Sequence, residues 1–259
     1  MNLLLKLSRI KDWFHILGIP ILGYFMVSGA TIEHLSFLKM LIFASSSLAF
    51  AYMFNDYSDL KYRSSSLLIY SGVFAIVSIT VAFLISTQAL SLAFLGLLTS
   101  FLYSFHLVRL KNIPFVSVSS NSLALSILFL VGSSSFGGVS TEALLFVPVI
   151  FMITVSFNIM HEIDHADMDK MSGTRTTAIV IGSNMSLMMS HVFITLPFFW
   201  LFAVNIFFGA YGQILPLHLM LLIVYFMLVS RVRAIGKLRM YMRYTVIVYG
   251  LATLYTLVI

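Results

Sequence analysis

The chain has 259 residues, of which 60% are hydrophobic and 9% charged, with 24 Phe, 15 Met and no Cys. A soluble domain carries about 25% charged residues because its outer layer faces water. Disordered chains are poor in aromatics and rich in charge, so both classes are excluded. Without cysteine there is no disulfide, thiolate zinc site or cysteine nucleophile. The formal net charge of +6 is scattered between apolar runs and makes no continuous nucleic-acid face.

Nine apolar stretches follow one another, at about 13–32, 36–54, 66–86, 89–108, 115–135, 143–160, 183–206, 214–230 and 241–259. A spanning helix needs roughly 20 apolar residues, and in hydrocarbon only a helix satisfies its backbone within one segment. The expected fold is all-α, a polytopic membrane protein with nine transmembrane helices. An odd number puts the termini on opposite sides of the membrane.

Cytoplasmic connections retain Lys and Arg, and here every basic residue except Lys39 falls on one side of that alternation. They are Lys6, Arg9 and Lys11; Lys61 and Arg63; Arg109 and Lys111; Lys170 and Arg175; and Arg231, Arg233, Lys237, Arg239 and Arg243. The N-terminus and these connections are therefore expected to be cytoplasmic, with the C-terminus opposite. The basic start resembles a signal peptide, but no small-residue cleavage site follows and the segment is expected to be retained.

Seven of the nine acidic residues lie on the same side: Asp12, Asp56, Asp59, Glu162, Asp164, Asp167 and Asp169. Six of them form two clusters, one after the second span and one after the sixth. Ionisable groups at membrane depth are costly and mark functional sites. In Asn55-Asp56-Tyr57-Ser58-Asp59 the i, i+3 spacing puts both carboxylates on one helical face. The second cluster runs from His161 to Lys170, and Asp164 follows Asp56 by 108 residues. That interval suggests two related four-helix units plus one further helix. Two carboxylate clusters facing one cavity suit Mg²⁺, which binds through a few carboxylates plus substrate phosphates. Such ions neutralise the charge that grows as a diphosphate leaves.

These residues resemble the UbiA superfamily of intramembrane prenyltransferases. Asn55, Asp56 and Asp59 match its NDxxDxxxD motif, with Arg63 at the last Asp. Asp169, Gly173, Thr176, Thr177 and Gly182 match its DxxxD motif and the Thr-rich return, with His165 at the first Asp. Tyr103, Ser104, Arg109, Lys111 and Pro114 match its YSxPPxRLKxxP element, with His106 and Leu107 replacing the two prolines.

The resemblance covers nearly the whole chain and implies a single domain, residues 1–259, whose helices surround a central cavity. It further implies Mg²⁺-dependent transfer of an isoprenyl group from an isoprenyl diphosphate to a lipophilic acceptor within the membrane. Asp56, Asp59 and Asp169 would be catalytic; Asn55, Asp56, Asp59, Asp164, Asp167 and Asp169 would supply metal ligands. Asn55, Tyr103, Arg109, Lys111 and Arg175 would bind the diphosphate. Partners would be these substrates and membrane lipids, not nucleic acid. Alternatives are a UbiA-related terpene cyclase and a lipid-binding member without catalysis. His161-Glu162-Ile163-Asp164-His165 also fits H-E-x-x-H, the pattern of an intramembrane zinc protease.

Overall fold

The computed structural model describes residues 9–29, 31–59, 65–171, 173–232 and 234–258. Their regular elements are all helices, with no strand among the described residues. The helices are α1 (Ile10–Ser28), α2 (His34–Ser58), α3 (Ser65–Ile85), α4 (Thr87–Ser104), α5 (Val116–Ser133), α6 (Thr141–Met171), α7 (Ser183–Phe208), α8 (Leu215–Arg231) and α9 (Ile235–Val258). Eight stretches among the described residues, on α1 to α8, are long and apolar enough to cross a membrane. The 24-residue α9 is long enough too, but Lys237 and Arg239 charge its first turns.

Two expected spans differ most at their ends. The sixth continues from 160 to Met171, giving a helix of 31 residues. Its acidic cluster contains no Gly or Pro, and the chain leaves the helix only before Gly173, whose φ is 73°. The ninth begins six residues early, taking in Lys237 and Arg239.

The chain divides into two compact units. One comprises residues 1–110 and 123–143, the other 111–122 and 144–259, so α5 contributes to both. In the first unit Trp13, Phe43, Ala44, Leu48, Ala49, Ala82, Ala89 and Ile127 belong to one buried cluster. Small residues bring α1 and α5 close: a Cβ on Gly23 would meet Phe129 O at 2.1 Å, and one on Gly132 would meet Pro20 O at 2.1 Å. Ser46 on α2 and Ser78 on α3 share a buried hydrogen bond of 2.8 Å.

In the second unit Val118, Val155 and Ile159 pack together against Phe151, Ile163, Met189 and Phe193. Ser156 on α6 and Ser190 on α7 share a buried hydrogen bond, again of 2.8 Å. The buried His218 and half-buried His191 also have partners, as hydrocarbon requires. His218 faces Tyr249 OH at 3.1 Å and Ile194 O at 3.3 Å, and His191 Nδ1 lies 2.6 Å from Tyr225 OH.

Candidate active site

In the first unit, α2 delivers its last turn to a set of polar side chains. Its 25 residues measure about 38 Å at 1.5 Å per residue, more than the roughly 30 Å of hydrocarbon, so Asn55, Asp56 and Asp59 emerge at one end. Asp56 is 5% exposed and receives Arg9 Nη1 at 3.0 Å. Arg9 also donates through Nε to Asp12 at 2.6 Å, and its guanidinium lies 5.3 Å from the centre of the Tyr52 ring. Burial opposes the Arg9 charge, but Asp12 and Asp56 outweigh it and raise its pKa above the ordinary value.

Asp59 receives Arg109 Nη2 at 3.1 Å, and Asn55 donates Nδ2 to Asp59 at 3.3 Å while its Oδ1 accepts Ser104 Oγ at 2.9 Å. Arg109 reaches this position because the chain after α4 bends tightly, with Arg109 N bonded to Phe105 O at 2.7 Å. Its own φ of 44° lies in the left-handed region, a strained conformation for a non-glycine residue. Arg109 Nε is buried and has no hydrogen-bond partner among the described residues. Phe54 stacks on Phe101 at 5.0 Å, and Phe101 on Phe105 at 4.6 Å, fixing α2 against α4 beside the polar set.

In the second unit the acidic end of α6 does several different jobs. Glu162 is buried, accepting Ser117 Oγ at 2.5 Å and Ala178 N at 3.2 Å. Asp164 receives Arg239 Nη2 at 2.9 Å. Arg239 also donates Nη1 to His161 Nδ1, and the His161 and His165 rings meet edge-on with centres 4.4 Å apart. A Cβ on Gly236 would meet Asp164 Oδ1 at 2.7 Å, so glycine lets the first turn of α9 approach the carboxylate. Asp169 lies within electrostatic reach of His165 and Lys111. Asp167 and Arg175 are exposed. The return toward α7 is pinned by Phe115 N, which donates to Thr177 Oγ1 at 2.9 Å.

The donor chemistry fits a hard cation. Asn55, Asp56 and Asp59 offer oxygen only, and the buried Arg109 Nε beside them calls for an anionic oxygen. Among the described residues no three His, Asp or Glu side chains are gathered closely enough to hold a metal ion by themselves. Substrate phosphates complete Mg²⁺ shells built on only one or two carboxylates.

A family model described as the UbiA prenyltransferase family matches residues 61–240. The chain belongs to the UbiA prenyltransferase family. Its fold is that of a UbiA homolog from Archaeoglobus fulgidus bound to GPP and Mg²⁺: 20% identity, a TM-score of 0.76, and coverage of 97% of this chain and 99% of that one. The digeranylgeranylglyceryl phosphate synthase structure is similar as well, at 16% identity and a TM-score of 0.79, covering 98% of this chain and 97% of that one. The apo structure of a UbiA homolog from Aeropyrum pernix K1 matches at 15% identity with a TM-score of 0.66, covering 94% of this chain and 98% of that one. No curated protein sequence matches significantly. The chain is an integral membrane protein of a prenyltransferase family.

In this UbiA-family chain the expected residues Asn55, Asp56, Asp59 and Arg109 come together in one unit, and Asp164, Asp169 and Lys111 belong to the other. Tyr103 is half-buried on α4, next to the Ser104 that binds Asn55. Arg63 lies outside the described residues. Glu162 is committed to Ser117 and Ala178, and so is not free to act as the general base that the H-E-x-x-H pattern would require. Arg9 and Arg239 were read from the sequence as orientation signals, yet each pairs with an acidic residue of a motif. Their sequence signal was only their place beside a helix start.

Proposed function

We propose that the chain transfers an isoprenyl group from an isoprenyl diphosphate to a lipophilic acceptor within the membrane, with Mg²⁺ as cofactor. The observation that carries this reading is the polar set at the end of α2, where Asn55, Asp56 and Asp59 lie beside an arginine whose buried Nε lacks a partner. The A. fulgidus homolog bound to GPP and Mg²⁺, and another of its structures bound to DMAPP and Mg²⁺, support the ligand class.

Asn55, Asp56 and Asp59 in the first unit, and Asp169 with either Asp164 or Asp167 in the second, would supply ligands to Mg²⁺. When bound, the ion supplies neutralisation of the diphosphate charge as the C–O bond breaks. Arg109, Lys111, Tyr103 and Arg175 bind and orient the diphosphate, which leaves with the bonding electron pair. The allylic carbon, left electron-poor, is attacked by the acceptor, whose displaced proton is lost. Apolar side chains exclude water, which would otherwise consume the cation.

In reconstituted vesicles Asp59→Ala is expected to abolish Mg²⁺-dependent release of diphosphate from geranylgeranyl diphosphate in the presence of acceptor lipid. Full activity of that variant sinks the assignment.

A further inference from the structure

In the second unit, Arg239 and Arg243 bring two positive charges beside His161, with Asp164 paired to the first. Arg239 pairs with Asp164 at 2.9 Å and donates to His161. Arg243 follows Arg239 by one helical turn on the same face of α9. It acts electrostatically on both Arg239 and His161, yet makes no ion pair or hydrogen bond among the described residues. The cluster is a set of N–H donors with one carboxylate, Asp164, already bound to Arg239.

Depth narrows what this cluster can hold. From Thr141 to His161, α6 rises about 30 Å, the thickness of the hydrocarbon layer. His161 follows directly on the apolar run 143–160, is exposed like Arg243, and lies two turns before Asp169. Arginine in or near hydrocarbon is costly without a partner. An anionic headgroup at this level, with its apolar body in the bilayer, would supply one.

We propose that His161, Arg239 and Arg243 form a binding site for the phosphate or carboxylate headgroup of an amphipathic molecule. For a prenyltransferase that molecule is the acceptor. The acceptor assignment rests on the transferase reading, whereas the anion site does not.

The test uses the full chain in phosphatidylcholine nanodiscs without magnesium or isoprenyl diphosphate, with decyl phosphate as probe. Saturable binding of decyl phosphate but not decanol is expected. Arg243→Gln should weaken it about tenfold or more, Arg243→Lys should retain most of it, and Lys39→Gln, at the opposite end of α2 from Asp59, should leave it unchanged. Undiminished binding in Arg243→Gln, or loss in Lys39→Gln alone, overturns the proposal. Adding phosphatidylglycerol separates the two sources: unchanged probe binding supports an acceptor headgroup, and displacement overturns the acceptor assignment in favour of bulk lipid. Because neither magnesium nor diphosphate is present, failure here leaves the Asp59→Ala result standing, and the reverse also holds.

Discussion

Glu162 is a carboxylate taken out of water and held by two donors, Ser117 Oγ and Ala178 N. It ties the start of α5 and the return toward α7 to the acidic end of α6, so its contribution is to placement. Removing either partner leaves a buried polar group unmatched, which costs about 1–3 kcal/mol. Glu162→Ala and Ser117→Ala are expected to lower thermal stability in detergent by amounts that do not add. A double-mutant cycle should return a coupling on the order of 1 kcal/mol; strictly additive losses would show that the pair does not act as a unit. The sequence marked Glu162 as unusual because acids are scarce, but it could not separate this carboxylate from Asp164 or Asp169. Partners decide the role, and Ser117 lies 45 residues away. The same holds for Arg239, whose ion pair with Asp164 joins residues 75 positions apart. Asn55, Asp56 and Asp59 were legible because their spacing alone puts them on one turn.

Helix ends and helix crossings set the elements in place. Glu33 caps α2, accepting Leu35 N at 3.3 Å and Ser36 N at 2.6 Å. The Ser36 side chain and then its backbone N–H hold the Glu33 pKa below the ordinary glutamate value. A carboxylate depressed in the folded state stabilises above its unfolded pKa, and that stabilisation is lost as pH falls through the folded value. Melting temperature in nanodiscs should therefore show a step on acidification that Glu33→Gln lacks; parallel curves for the two proteins would refute the cap. Where α1 crosses α5, Gly132→Ala forces a Cβ against Pro20 O, a backbone atom that cannot swing aside. A loss of about 1–3 kcal/mol is expected, seen as earlier thermal unfolding in detergent. Unchanged stability would mean that the helices separate freely. The sequence placed the helices through their apolar runs, yet put two ends wrongly. Polarity marks where a helix leaves lipid, whereas backbone geometry marks where it stops.

Across the whole molecule, the pattern of charge predicts orientation. Lys39, the one basic residue on the other side, donates to Leu84 O at 3.2 Å near the C-terminal end of α3, so its charge complements a helix end. Since the chain has no cysteine, single cysteines report cleanly. Lys170→Cys is expected to react with a membrane-impermeant maleimide from the cytoplasmic side and Gln213→Cys from the other. Labelling of both from the same side would overturn the orientation.

The two serine pairs share one interval. Ser46 precedes Asp59 by thirteen residues, and Ser156 precedes Asp169 by the same thirteen. Each serine bonds the following long helix of its own unit, Ser78 in one and Ser190 in the other. The shared interval supplies a register between the two halves of the sequence that the motifs alone do not. In that register His165 stands opposite Asn55, and Asp169 opposite Asp59. The histidine thus occupies the place where the first half carries Asn55, whereas the family motif has aspartate there.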